Sequence, residues 1–135
     1  MRSALAERCY PYMLSILRIV IGFTFWQHGL SKFGFIEGRV REFPELTWFA
    51  GVLEIFGGPL IALGIFTKPL AFLLSGQMAV AYFLSHAPRG FWPLLNGGED
   101  AVMYCFIFLF LAVVGAGKLS VDAWIEKKIG ARVWL

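Results

Sequence analysis

Residues 46–66 read LTWFAGVLEIFGGPLIALGIF, and in those 21 positions the only charge is Glu54. At about 1.5 Å of rise per helical residue, roughly twenty apolar residues cross a hydrocarbon core of about 30 Å. The stretch therefore predicts a transmembrane helix, and the sequence on either side repeats the pattern. Positions 69–87 hold no Asp, Glu, Lys or Arg, and only Thr67 and Lys68 separate them from the first stretch. So short a link leaves room for a tight antiparallel turn with Pro69 at the start of the next helix. Positions 12–30 carry Arg18 alone, and positions 101–117 carry no charge. The prediction is an all-α integral membrane protein, an antiparallel four-helix bundle with helices at about 12–32, 46–67, 69–87 and 100–117. Residues 1–135 form one domain on this reading.

Composition points the same way. Of the 135 residues, 59% are hydrophobic and 16% charged, so the polar shell of a small soluble domain cannot be assembled. That excludes an ordinary soluble enzyme, a disordered segment and a collagen-like chain. The first window is too long for a secretory signal and lacks a small-x-small cleavage site. A formal net charge of +3 makes no case for nucleic acid, because the basic residues flank apolar windows and form no stripe among stacking aromatics.

Basic residues set the expected orientation. Arg2, Arg8, Lys68, Lys118, Lys127, Lys128 and Arg132 fall on the side of the termini, against Lys32, Arg39, Arg41 and Arg89 on the other. By the positive-inside rule both termini are cytoplasmic. Residues 118–135 place Trp124, Ile125, Ile129, Val133 and Trp134 among Lys127, Lys128 and Arg132, the pattern of an amphipathic cytoplasmic tail lying on the membrane. The connector SKFGFIEGRVREFPE suits an interfacial position, and HAPRGFWPLLNGGED suits a surface segment or a lid over the helix ends. Cys9 and Cys105 form no CxxC pair and lie near opposite ends of their helices, which rules against a bridge between them.

The polar residues inside the windows are the candidate site. A charge in hydrocarbon costs about 2.5–3.5 kcal/mol on insertion scales, so Arg18 and Glu54 need partners. Depth arithmetic puts Glu54 between Arg18 and His28; an Arg18–Glu54 ion pair fixing helix register stands beside a ligand or proton site. Arg18, His28 and Lys32 share one half of the first helix by their spacing. Gln77 sits near mid-depth of the third helix, and His86 lies nine residues on, half a turn round it. Glu99 stands with His28, Lys32 and His86 at the outer ends. The intrabundle polar pocket is thus drawn from Arg18, His28, Lys32, Glu54, Gln77, His86 and Glu99. Gly22, Gly51, Gly57 and Gly58 let neighbouring backbones approach closely. Two histidines with no further ligand pattern make haem or a metal a weak reading, and no metal site is expected.

In combination these residues resemble the DoxX family of small four-helix bacterial inner-membrane proteins. The carriers are RIVIGFTFWQHGLSKF from Arg18, GVLEIFGGPLIALGIFTK from Gly51, HAPRGF from His86, Glu99, and GAGKLSVDAW from Gly115, so that the likeness covers roughly residues 14–125. The resemblance implies a multi-pass protein of the bacterial inner membrane and a link to redox chemistry, sulfur metabolism or oxidative stress, since its relatives include membrane subunits named for thiosulfate–quinone oxidoreductases. It implies no catalytic residue. The leading reading is a membrane subunit of a quinone-linked assembly with a soluble redox partner, its quinone head held by His28, Lys32 and Glu54 and its tail in an apolar gap reaching lipid. A non-enzymatic scaffold that recruits a partner through its tail is a second reading. A small-molecule transporter, which would have to be a homo-oligomer because four helices are few for alternating access, is a third.

Overall fold

The computed structural model describes residues 3–130, and among them every regular element is helical. Helix α1 (Ala4–Lys32) begins where the Ser3 hydroxyl accepts from the Ala6 N–H, well before position 12, and runs through Pro11. Helix α2 (Leu46–Leu63) stops where Gly64 turns left-handed at φ 70° and returns its N–H to the last turn. Helix α3 (Thr67–Ala81) continues through one π-helical turn (Tyr82–His86) and a 3-10 turn (Ala87–Arg89). After the short α4 (Pro93–Asn96) come α5 (Glu99–Val114) and α6 (Val121–Ile129). Three stretches are long and apolar enough to cross a membrane: α1, α2 and the continuous Thr67–Arg89.

Thr67 and Lys68 are the first residues of α3, not the turn before it. Gly64, Ile65 and Phe66 make that turn, and the Asp122 carboxylate accepts from the Phe66 N–H at 3.0 Å and the Thr67 N–H at 2.9 Å. A carboxylate on the first free N–H groups of a helix satisfies orphan donors and opposes the positive end of the helix dipole. This partner comes from α6, far along the chain.

Neighbouring helices run antiparallel and meet through glycine. A methyl group on Gly22 would stand 2.7 Å from the Gly58 carbonyl oxygen and 2.6 Å from the Ala62 nitrogen, and one on Gly29 would stand 2.7 Å from the Ile55 nitrogen. In lipid, where water does not drive helices together, such backbone contact is what association requires. Gly57 faces the other way and receives the Leu74 methyls of α3. Behind these contacts Phe25, Ile61, Leu74, Phe108 and Leu111 form a core no more than 1% exposed. α5 lies along α3, with the Ser75 hydroxyl donating to the Cys105 carbonyl at 2.8 Å. Cys9 is exposed, Cys105 half-buried, and both are free thiols.

The two ends of the molecule differ. At the terminal face, fully buried Arg18 donates from Nε to the Ala116 carbonyl (2.8 Å), from Nη1 to those of Ile61 (2.6 Å) and Ala62, and from Nη2 to that of Leu119 (2.5 Å). The last carbonyls of α2 lack helical donors, so one guanidinium ties α1 to the end of α2 and to the segment after α5. Ser15 accepts from the Leu119 N–H, and Asp122 donates its N–H to the Gly64 carbonyl. α6 is therefore anchored against the helical body, with Trp124 exposed beneath Lys128. Arg2, Arg132, Val133 and Trp134 lie outside the described residues. At the opposite, connector face, buried Asn96 donates to the Gly90 carbonyl and the Tyr82 hydroxyl and accepts from the Gly98 N–H, which pins the 87–98 segment in place.

Substitution of Gly22 by Val should lower stability by about 1–3 kcal/mol, the usual cost of overpacking, with α1 forced off α2. Nothing lies within 4 Å of a methyl on Gly76, which sits inside α3, so Gly76→Ala should hold stability or raise it by up to about 1 kcal/mol. Thermal unfolding of both variants in detergent checks the contrast.

Candidate functional site

Glu54 follows Gly51 by three residues and precedes Gly58 by four, so one face of α2 carries a carboxylate between two positions without side chains. Lys32 is the last residue of α1. Its stem runs past Gly51, where a methyl would come within 3.2 Å of the Lys32 Cβ, and Nζ reaches both Glu54 oxygens at 2.5 Å. The carboxylate is 1% exposed and the lysine side chain 24%. A long aliphatic stem crossing apolar surface with its charge delivered at the tip suits lysine here. On the α3 side, Gln77 Nε2 donates to Glu54 Oε1 and to the Ala50 carbonyl, both at 3.3 Å. Both partners are acceptors, which fixes the orientation of the amide. The Glu54 oxygens thus hold two kinds of donor inside the protein, as a buried charge demands.

The ion pair borders a cavity of about 380 Å³ near the connector face. His28 lines it from α1 with its ring edge-on to Tyr104 at 5.5 Å, and Asp100 and Tyr104 line it from α5. His86 and Arg89 enter beyond α3, Arg89 donating to His86 Nδ1 at 2.9 Å, and Arg41 comes from the first connector. Phe25 and Met78 make apolar wall. Between α2 and α3 runs a second hollow of about 480 Å³, walled by apolar side chains such as Phe49, Leu53, Phe72 and Leu84, with Gln77 among them. Thr47, Ala50, Ala81 and Ser85 line both spaces. A polar chamber that shares walls with an apolar groove can receive an amphiphile, head inward and tail toward lipid.

Of the residues singled out in the sequence, His28, Lys32, Glu54 and His86 surround the chamber, and Gln77 touches Glu54 from the groove side. Arg18 is elsewhere: the Arg18–Glu54 pair does not form, because carbonyls at the end of α2 take the guanidinium while Lys32 takes the carboxylate. The depth of the backbone positions does not report how far a lysine stem reaches inward from a helix end. Glu99 is exposed at the start of α5, and its neighbour Asp100 lines the chamber instead. Tyr104 and Arg41 were missed. Tyr104 stands one helical turn after Asp100, a spacing that could have drawn attention to it. Gly22 and Gly58 meet across α1 and α2, Gly51 makes room for the lysine, and Gly57 serves α3. Among the described residues no three His, Cys, Asp or Glu side chains converge as metal ligands would.

Fold and site define a helical membrane protein with a buried ion pair between a polar chamber and a lipid-side groove. The DoxX family profile matches residues 13–87, more than half of the sequence, and the chain belongs to that family. It is similar to an uncharacterized protein of Haemophilus influenzae, 41% identical over 90% of this chain and 97% of the relative. It is also similar to the Escherichia coli protein named "Inner membrane protein YphA", 30% identical over 83% of this chain and 89% of that one. The Bacillus subtilis protein named "Putative oxidoreductase CatD" is 25% identical over 83% and 86% of the two chains. No solved structure matches at a significant level. The matched span takes in Lys32, Glu54, Gln77 and His86 and ends before Asp100 and Tyr104.

Removing Lys32 leaves the Glu54 carboxylate buried alone, so Lys32→Met should cost about 3–5 kcal/mol, and Glu54→Gln, which leaves a part-exposed lysine, should cost less. The double variant leaves no orphan charge and should lose less than the sum. Unfolding measured across the four proteins would contradict the pairing if the losses simply add.

Proposed function

We propose that the chain is the membrane subunit of a quinone-linked redox assembly, and that chamber and groove together hold the quinone. The observation that carries this reading is the shared wall of Thr47, Ala50, Ala81 and Ser85, which joins a charged chamber to an apolar groove. A quinone head is a flat ring with polar oxygens that need donors, and Lys32, His28 and Arg41 border the chamber to supply them. Glu54 sits where protons must be given or taken when such a ring changes redox state. The isoprenoid tail fits an apolar groove reaching lipid. Electrons come from a soluble partner, and the relative named as an oxidoreductase supports a redox role.

In this reading residues 1–135 form one domain that crosses a bacterial inner membrane four times. α5 is the fourth crossing: its 16 residues span about 24 Å and carry no charge beyond Asp100. The excess of basic residues on the side of the termini supports a cytoplasmic position for both ends.

Protein purified in mild detergent should carry close to one quinone per chain in its extracted lipids, and Glu54→Gln should reduce that at least tenfold in folded protein. Extracts holding phospholipid and no quinone would contradict the proposal, as would retention undiminished by Glu54→Gln.

A further inference from the structure

We infer that Glu54 exchanges protons with one side of the membrane only, the connector face, with Asp100 as the exit group, so that head-group chemistry takes up or releases its protons there. The inference rests on the reading of Glu54 as the proton-handling group of the site.

The groups that face the carboxylate or share its chamber all lie on the connector side. They are Lys32 and His28 from α1, Arg41 from the first connector, His86 and Arg89 beyond α3, and Asp100 and Tyr104 from α5. His28 and Asp100 are exposed, and Asp100 stands at the connector end of α5, so in this reading water enters the chamber past Asp100. A proton leaving the Glu54 carboxyl therefore passes to chamber water and on to the Asp100 carboxylate, and uptake runs the same route in reverse.

Toward the terminal face the route closes in two layers. The first is apolar: the Phe25 ring meets Phe108 edge-on at 4.8 Å, and Ile61, Leu74 and Leu111 behind them are 0% exposed. Leu74 methyls press on Gly57, and the backbones of Gly22 and Gly58 touch, so α1, α2 and α3 are closely packed at these levels. α1 between Arg18 and His28, α2 after Glu54, and α3 between Lys68 and Gln77 contribute no ionisable side chain; past Tyr104, whose ring packs on Phe25 and Phe108, α5 contributes only the Cys105 thiol, beside Ser75. The second layer is the Arg18 guanidinium, seven residues or about 10 Å below Phe25. Its bonds to four carbonyls hold a fixed positive charge across the end of the core, and a fixed arginine is an electrostatic barrier to protons in a narrow path.

The test needs no quinone, so its result is separate from the fate of the proposed ligand. Full-length protein is placed in vesicles in one orientation, and the carboxyl stretch of Glu54 is followed by infrared spectroscopy while the pH of each compartment is changed alone. The band is assigned by its loss in Glu54→Gln and, should that variant fold poorly, by its shift in Glu54→Asp. The expected result is a band that follows the pH of the connector face and ignores the terminal face, with a response at least tenfold slower in Asp100→Asn. A band that follows the terminal face, both faces or neither would overturn one-sided exchange, and an unchanged rate in Asp100→Asn would overturn the exit role.

Discussion

A carboxylate held in the apolar interior of a membrane protein must find its counter-charge within the chain, and here that requirement is met by Lys32 reaching Glu54 from the end of the neighbouring helix. Much of the architecture follows from making this contact short. α1 and α2 must touch backbone to backbone, which the glycines allow, and Gly51 must leave a channel for the lysine stem. Gln77 then has a fixed role, because its amide can approach only with its N–H groups toward two acceptors. The chamber exists because the ion pair and its polar neighbours gather at one level, while the residues below that level are apolar and closely packed.

The two intramembrane charges solve the same solvation problem in different ways. Glu54 is satisfied by charge on charge and stays beside a chamber where a ligand can compete for its hydrogen bonds. Arg18 is satisfied by four backbone carbonyls, which cannot leave without unravelling helix ends, so it serves as a fastener. That distinction sets the chamber in the connector half of the molecule and anchoring in the terminal half, where Asp122 adds a second tie between α6 and the start of α3. It also keeps α6 against the helical body.

Much of the fold was legible because lipid permits few backbone arrangements, and uncharged windows of helical length report them directly. The glycine contacts of α2 were legible for the same reason: small residues beside a carboxylate have little to do except admit a neighbour. What escaped the sequence was partner choice. Arg18 and Glu54 stood out as the only charges within the windows and invited pairing, yet each has a better partner elsewhere in sequence: a lysine at a helix end, and carbonyl groups that composition does not mark. Asp122 looked like one acidic residue in an amphipathic tail, and only the folded chain brings it to the α3 N-terminus. Asp100 and Tyr104 required knowing which face of α5 turns inward, and the uniformly apolar sequence of that helix does not mark the face.

Lys32, and not Arg18, neutralises Glu54 among the apolar helices. Solid-state NMR on protein in lipid bilayers, with nitrogen label in lysine and arginine side chains and carbon label in glutamate, measures this contact through the dipolar coupling of the Glu54 Cδ. The expected result is a strong coupling to Lys32 Nζ that disappears in Lys32→Met. A Glu54 Cδ coupled to the Arg18 guanidinium, or to neither nitrogen, would contradict it.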